Sequence, residues 1–216
     1  MRVVIIGAGG HGKVVLDILR HDVDAQIAGF IDDDAALHNS VIEGVAVLGS
    51  ISSLPNLISR HKLDAAIIAV GDNKVRARLH DKVKEAGLIL KKAIHSNALI
   101  ARDVEIREGV VIAAGVVIST GTRIGDNVII NTGAVIDHDN VIEEYVHISP
   151  GVTLAGKVKV GRYSHVGLGV TVVQDLTIGE NATVGAGAVV LDHIPASATA
   201  VGVPARVIKI KENTEG

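Results

Sequence analysis

Cysteine and tryptophan are absent from this chain, and its aromatic residues are limited to Phe30, Tyr145 and Tyr163. Without cysteine there is no disulfide framework, no thiolate zinc site and no acyl-cysteine intermediate. So few aromatics would be odd in an ordinary core, where they supply much of the buried area. They are unneeded in a narrow coil that aliphatic side chains fill without strain. No run approaches 18 uninterrupted apolar residues, so no membrane span is expected. Charge of one sign is lacking too: a net charge of −3 gives no basic footprint for nucleic acid. The opening MRVVIIGAGG reads as a strand running into a glycine loop, not as a signal peptide, and a reducing cytoplasm is the expected location.

What the chain does have is a period. Every sixth residue from Ile94 and Ile100 through Val184 and Val190 is Ile, Val or Leu, without gap or insertion. Helices and hairpins do not repeat at six; a parallel β-helix does, each hexad forming one side of a triangular coil. Four residues after each of these positions comes a second column of small or branched residues, such as Val128, Ala134, Val146 and Val152. Its one amide is Asn140, which follows His138 and Asp139 directly. Three hexads close a coil of 18 residues, so five to six coils are expected. The pattern ends at Pro195, after which a polar, frayed tail is expected.

Residues 1–92 have other periods. Strand-like Arg2–Gly7, Gln26–Asp32 and Ala65–Val70 alternate with helical His11–Arg20, Ser53–Arg60 and Asn73–Ala86. This alternation predicts a parallel sheet covered on both faces. Two domains follow: an α/β, Rossmann-like domain over 1–92, and a β-helix over 93–216 with a terminal tail. The first is too short for both halves of a complete dinucleotide fold. Its loop Gly7-Ala8-Gly9-Gly10-His11-Gly12 nevertheless fits G-x-G-x-x-G, with Asp32 twenty residues beyond Gly12. Such a loop brings backbone N–H groups and a helix N-terminus to a diphosphate, whether that of a dinucleotide or of a nucleotide sugar. A tight turn that merely packs helix on sheet is the alternative.

Of ten histidines, His21, His38, His61 and His80 fall in polar loops or on exposed helix faces, and His95 has no assigned role. His147 and His165 are one coil apart and should stack on one edge. No carboxylate or cysteine joins them in register, so no metal is expected. His138 differs, because polar residues concentrate around it where the repeat least needs them.

The conjunction GAGGHGKV, FIDDD, VGDN, VIDHD, YVHISPG and VGVPAR resembles, over nearly the whole chain, the hexapeptide-repeat acyltransferases of the PglD/NeuD-like nucleotide-sugar N-acetyltransferase branch. The resemblance implies left-handed coils, a homotrimer, acetyl-CoA as cosubstrate, and an acceptor amine on a UDP- or GDP-linked amino-dideoxy sugar of surface polysaccharide or glycan synthesis. It makes His138 the general base and Asp139 its acidic neighbour, a position held elsewhere in the family by the longer glutamate. A carboxylate beside an imidazole favours its protonated form. The backbone N–H of Gly156 is implied as oxyanion donor. His147, Leu168 and Ala186, the last replacing a glycine, are implied to line acetyl-CoA; Arg206 and Lys209 in the terminal segment are candidate partners for its phosphates, with a solvated surface role as the alternative. Gly9, Gly10, His11, Asp32, Asp33 and Gly71 are implied to hold the nucleotide sugar. Apolar outward residues such as Val111, Val117, Ile129 and Val135 suit packing between chains. Sugar O-acetylation, a non-catalytic trimeric nucleotide-binding scaffold and a nicotinamide dehydrogenase are the rival readings.

Overall fold

A computed structural model describes residues 1–210, and the chain divides into two compact units, Met1–Ser96 and Asn97 onward. The end of the tail expected to fray, 211–216, lies outside the described residues.

In the first unit, β1 (Arg2–Ile6) leads into α1 (Gly10–Arg20) and β2 (Gln26–Ile31). A small antiparallel hairpin, β3 (Val41–Ile42) and β4 (Val45–Ala46), precedes α2 (Leu54–His61), β5 (Ala65–Ile68), α3 (Asn73–Glu85) and β6 (Ile89–Leu90). The main sheet is parallel, in the order β2-β1-β5-β6. Val3 and Ile5 point to one face and Val4 and Ile6 to the other, and all four are buried, as a parallel sheet covered on both sides requires. Val4 and Ile6 pack in one core with Ile31, Leu54, Ile68 and Val83. From β1 the chain winds to β2 on one side and later to β5 on the other. That reversal opens a crevice at the carboxyl ends of β1 and β5, the position where open α/β sheets bind ligands.

In the second unit each side of the coil is a strand of two residues. Val117 pairs with Val135, Val135 with Thr153, Thr153 with Thr171 and Thr171 with Val189, always in parallel and always 18 residues on. A second face runs Arg123, Val141, Lys159, Thr177, and a third Val111, Ile129, His147, His165, Thr183. The third face continues into Ala198–Val201, which pairs antiparallel with Arg206–Ile210. The residue after each of these positions turns inward. Ile118, Ile136, Leu154 and Val172 are at most 1% exposed, and so are Ile130, Ile148 and Val166. Burying one such side chain contributes about 1.5–3 kcal/mol. The six-residue period is thus the path of one strand and one corner.

Corners turn through left-handed backbone. Gly115, Gly133, Gly151, Gly169 and Gly187 hold one corner at φ near +70°. A second corner is built from Gly121, Asp139, Lys157 and Asp175, the last three with side chains despite φ of +59° to +60°.

One expectation is corrected. Val111 and Ile129 are 1% and 0% exposed within the single chain, so they have no surface left to offer a second copy. Val117 is half-buried and Val135 is 38% exposed, and these retain it.

Candidate functional site

The residues singled out by sequence are divided between the two units. In the first unit the glycines of the loop divide by task. Gly7 has φ +108°, and a Cβ there would lie 2.6 Å from the Ala69 carbonyl oxygen; one on Gly12 would overlap the carbonyl of Gly7. These two are demanded by packing. A Cβ on Gly9 or Gly10 would meet nothing within 4 Å, so both border open space above the start of α1. That helix start has no side-chain cap and no acid in its first turn. Its first N–H groups and the positive end of its dipole are therefore available to an anion.

Beside the loop is a cavity of about 190 Å³ lined by Gly7, Asp32, Asp33, Ile51, Val70 and Val75 among others. Asp32 accepts the N–H groups of Ala8 (2.7 Å) and Asp34 (2.9 Å), and Asp33 accepts that of Ile51 (2.8 Å). Both carboxylates thus hold the walls in place while lining the cavity. His38, read from sequence as a loop residue, bonds through Nε2 to the Asp32 carbonyl at 2.8 Å.

His11 is largely buried, and burial, with the nearby Arg76 cation adding to it, lowers its pKa from 6.5 to about 4. Arg76 was not legible as part of this site, since an arginine on an amphipathic helix reads as solvated surface. It is in fact fully buried. Its guanidinium donates to the carbonyls of Val70 (2.9 Å) and Gly71 (3.1 Å) and to Asn73 Oδ1 (2.8 Å), fixing the loop across from the glycines. Gly71 takes part through this carbonyl.

In the second unit, His138 Nδ1 and Asp139 Oδ2 are 2.9 Å apart, both side chains about half exposed. The Asp137 carboxylate accepts the backbone N–H of His138 at 2.7 Å, fixing the turn. With Nδ1 engaged by a carboxylate, Nε2 is the nitrogen left to exchange protons. One coil on stands Gly156. A Cβ there would lie 2.6 Å from both Cε1 and Nε2 of His138, so the imidazole rests on the backbone of that glycine. The Gly156 N–H makes no hydrogen bond among the described residues.

His147 and His165 stack with centroids 4.9 Å apart and planes within 10°, and Ser149 Oγ lies 3.0 Å from His165 Nε2. Among the described residues no group of three His, Cys, Asp or Glu side chains is placed to hold a metal ion. Leu168 and Ala186, both exposed, stand one coil apart. Their corner is two hexads round the coil from the one that carries His138 and Gly156, so one chain does not bring the two pairs together. Arg206 is exposed, donates to the Ala205 carbonyl at 2.9 Å, and lies 3.9 Å from Asp192; Lys209 is exposed on the same strand.

Known proteins share the sequence and the fold of this chain. Residues 2–83 match the PglD N-terminal domain family. A UDP-N-acetylbacillosamine N-acetyltransferase of Bacillus subtilis is 39% identical over 113 residues, 52% of this chain and 51% of that one. The aligned stretch is thus about half of the curated relative's length. A histidine-to-asparagine mutant of perosamine N-acetyltransferase from Caulobacter crescentus, solved with CoA and GDP-perosamine, superposes with a TM-score of 0.92 at 40% identity, covering 97% of each chain. The acetyltransferase domain of PglB from Neisseria gonorrhoeae, solved with acetyl coenzyme A, gives 0.88 at 33% identity, covering 96% of this chain and 98% of that one.

Proposed function

Because the chain belongs to the PglD-like family of hexapeptide-repeat acetyltransferases, we propose that it moves an acetyl group from acetyl-CoA to the amine of a nucleotide-linked amino sugar. The observation that carries this reading is the half-exposed His138–Asp139 pair, resting directly on Gly156.

An ammonium has no lone pair, so the attacking amine must be neutral. As the C–N bond forms at the thioester carbonyl, Nε2 of His138 takes the proton that the amine sheds. Asp139 holds the ring by Nδ1 and so fixes which nitrogen faces the amine. The developing oxyanion is met by the N–H of Gly156, a donor already in place before reaction. Collapse breaks the C–S bond, and the proton on His138 leaves with the coenzyme thiolate. No enzyme nucleophile enters, in keeping with a chain that has no cysteine.

The nucleotide sugar is held in the first unit, its diphosphate over Gly9, Gly10 and the start of α1, with His11 and Gly71 alongside. The cavity at Asp32 and Asp33 is smaller than the about 300–1,000 Å³ of pockets that enclose a whole ligand, so it takes one ring of the nucleotide. His147, Leu168, Ala186 and Arg206 line the path of CoA. Leu168 and Ala186 sit on another corner than His138, which supports a homotrimer whose sites combine two copies. Among the described residues no helix is long and apolar enough to cross a membrane, and we place the enzyme in the cytoplasm, where acetyl-CoA and nucleotide sugars are made.

Thiol release from acetyl-CoA, measured against a panel of UDP- and GDP-linked amino sugars, tests the proposal. At least one sugar should release thiol, and His138→Ala should abolish release while nucleotide-sugar binding persists. Release that survives His138→Ala overturns the mechanism.

A further inference from the structure

Asn140 lies within the coil, fully buried in a column otherwise made of small and branched side chains. Its Nδ2 faces three carbonyl oxygens: Asp137 at 2.8 Å, Ala155 at 3.0 Å and His138 at 3.4 Å. Only an NH2 group satisfies such surroundings, so the amide's orientation is fixed, and Oδ1 is left buried with no hydrogen-bond partner among the described residues. An interior valine, as at Val146 or Val152, would leave no such atom. That buried, unpaired oxygen is a cost a valine would not carry, and it is set against the carbonyls that Nδ2 satisfies.

The two short bonds show what is gained. Asp137 and Ala155 are the residues immediately before His138 and Gly156, one coil apart, so one side-chain amide ties both turns. Thr122, fully buried one coil earlier, reinforces the first: its Oγ1 donates to the same Asp137 carbonyl at 3.1 Å and accepts the Asn140 N–H at 3.3 Å. Thr122 and Asn140 thus form a buried polar strut beneath the imidazole and the N–H it rests beside. Resting on the proposed acetyl transfer, we infer that Asn140, seconded by Thr122, is a positioning residue that fixes the His138 ring relative to the Gly156 N–H.

Elsewhere in the column the same bond has a one-armed form. Ser164 Oγ donates to the Gly179 carbonyl, fifteen residues on, at 2.7 Å, the step that joins Asn140 to Ala155. Serine at 140 should therefore restore the Ala155 bond and not the Asp137 bond.

The experiment compares Asn140→Val, Asn140→Ser and Thr122→Val with the parent enzyme by kcat, both KM values and melting temperature, together with a crystal structure of Asn140→Val. Asn140→Val should stay folded and keep both KM values while kcat falls roughly 10- to 100-fold, the cost of a reacting group displaced by a fraction of an ångström to an ångström. Asn140→Ser should recover part of that loss, and Thr122→Val should show a smaller one. The crystal structure should show the His138 ring displaced from Gly156. Parent-like kcat in Asn140→Val overturns the inference, and so does a kcat loss accompanied by raised KM values for both substrates. If the parent releases thiol with no nucleotide sugar, the functional reading fails separately. The Asn140→Val crystal structure then decides this inference, an unmoved ring overturning it.

Discussion

His138 is oriented by a contact that adds little to stability. A half-exposed imidazole–carboxylate pair is worth at most about 1 kcal/mol in the fold, yet it decides which ring nitrogen faces a substrate. Gly156 sets the other limit, because the ring occupies the place of its missing side chain. Gly156→Ala should leave the coil folded by circular dichroism but push the imidazole aside, lowering kcat by about 10²-fold in the thiol-release assay. His11 gives a prediction of another kind. Its folded pKa of about 4 lies below the ordinary 6.5, so between those values the unfolded chain binds the extra proton. The stability this neutral imidazole contributes is complete above pH 6.5 and is lost as pH falls through that window, by at most about 3 kcal/mol. Urea unfolding at pH 5 and pH 7.5 should show His11→Gln losing less stability on acidification than the parent.

At the scale of elements, the hexad period and the strand–helix alternation were legible because burial imposes them on the sequence. The inward column Ile118, Ile136, Leu154 could be read directly, and so could the stacking of His147 on His165. Corner geometry was not legible, least of all at Asp139, Lys157 and Asp175, where the coil forces left-handed backbone onto residues that carry side chains. The two tasks of the glycine loop were also hidden, since Gly7 and Gly10 look alike until the space around each is known. Arg76 escaped because nothing in a helical pattern marks a cation whose partners are loop carbonyls. Gly133, at φ +67° with open space where a Cβ would go, isolates the backbone cost of a corner. Gly133→Ala should lower stability by about 1 kcal/mol, read by chemical denaturation, without a change in secondary structure.

For the whole molecule, the separation of His138 and Gly156 from Leu168 and Ala186 on different corners makes assembly part of the proposed chemistry. Val117 and Val135, which keep apolar surface where Val111 and Ile129 have none, are the positions at which to break it. The double variant Val117→Glu/Val135→Glu should run near 22.4 kDa by light scattering and lose turnover, with nucleotide-sugar binding in the first unit retained. An active protein of that mass would refute the shared site. What stayed illegible at this scale is the nucleobase and the sugar: the cavity walls are mostly aliphatic, and Asp32 and Asp33 spend oxygens on backbone N–H groups.

His138 and Gly156 stand on successive rungs of a ladder whose spacing, about 4.8 Å, is dictated by interstrand hydrogen bonding. Mutation can change what a rung carries but cannot stretch the interval between rungs. The interval between the turn of the proton acceptor and that of the amide donor is therefore fixed by the ladder, and only the lean of the ring within it is left for side chains to set.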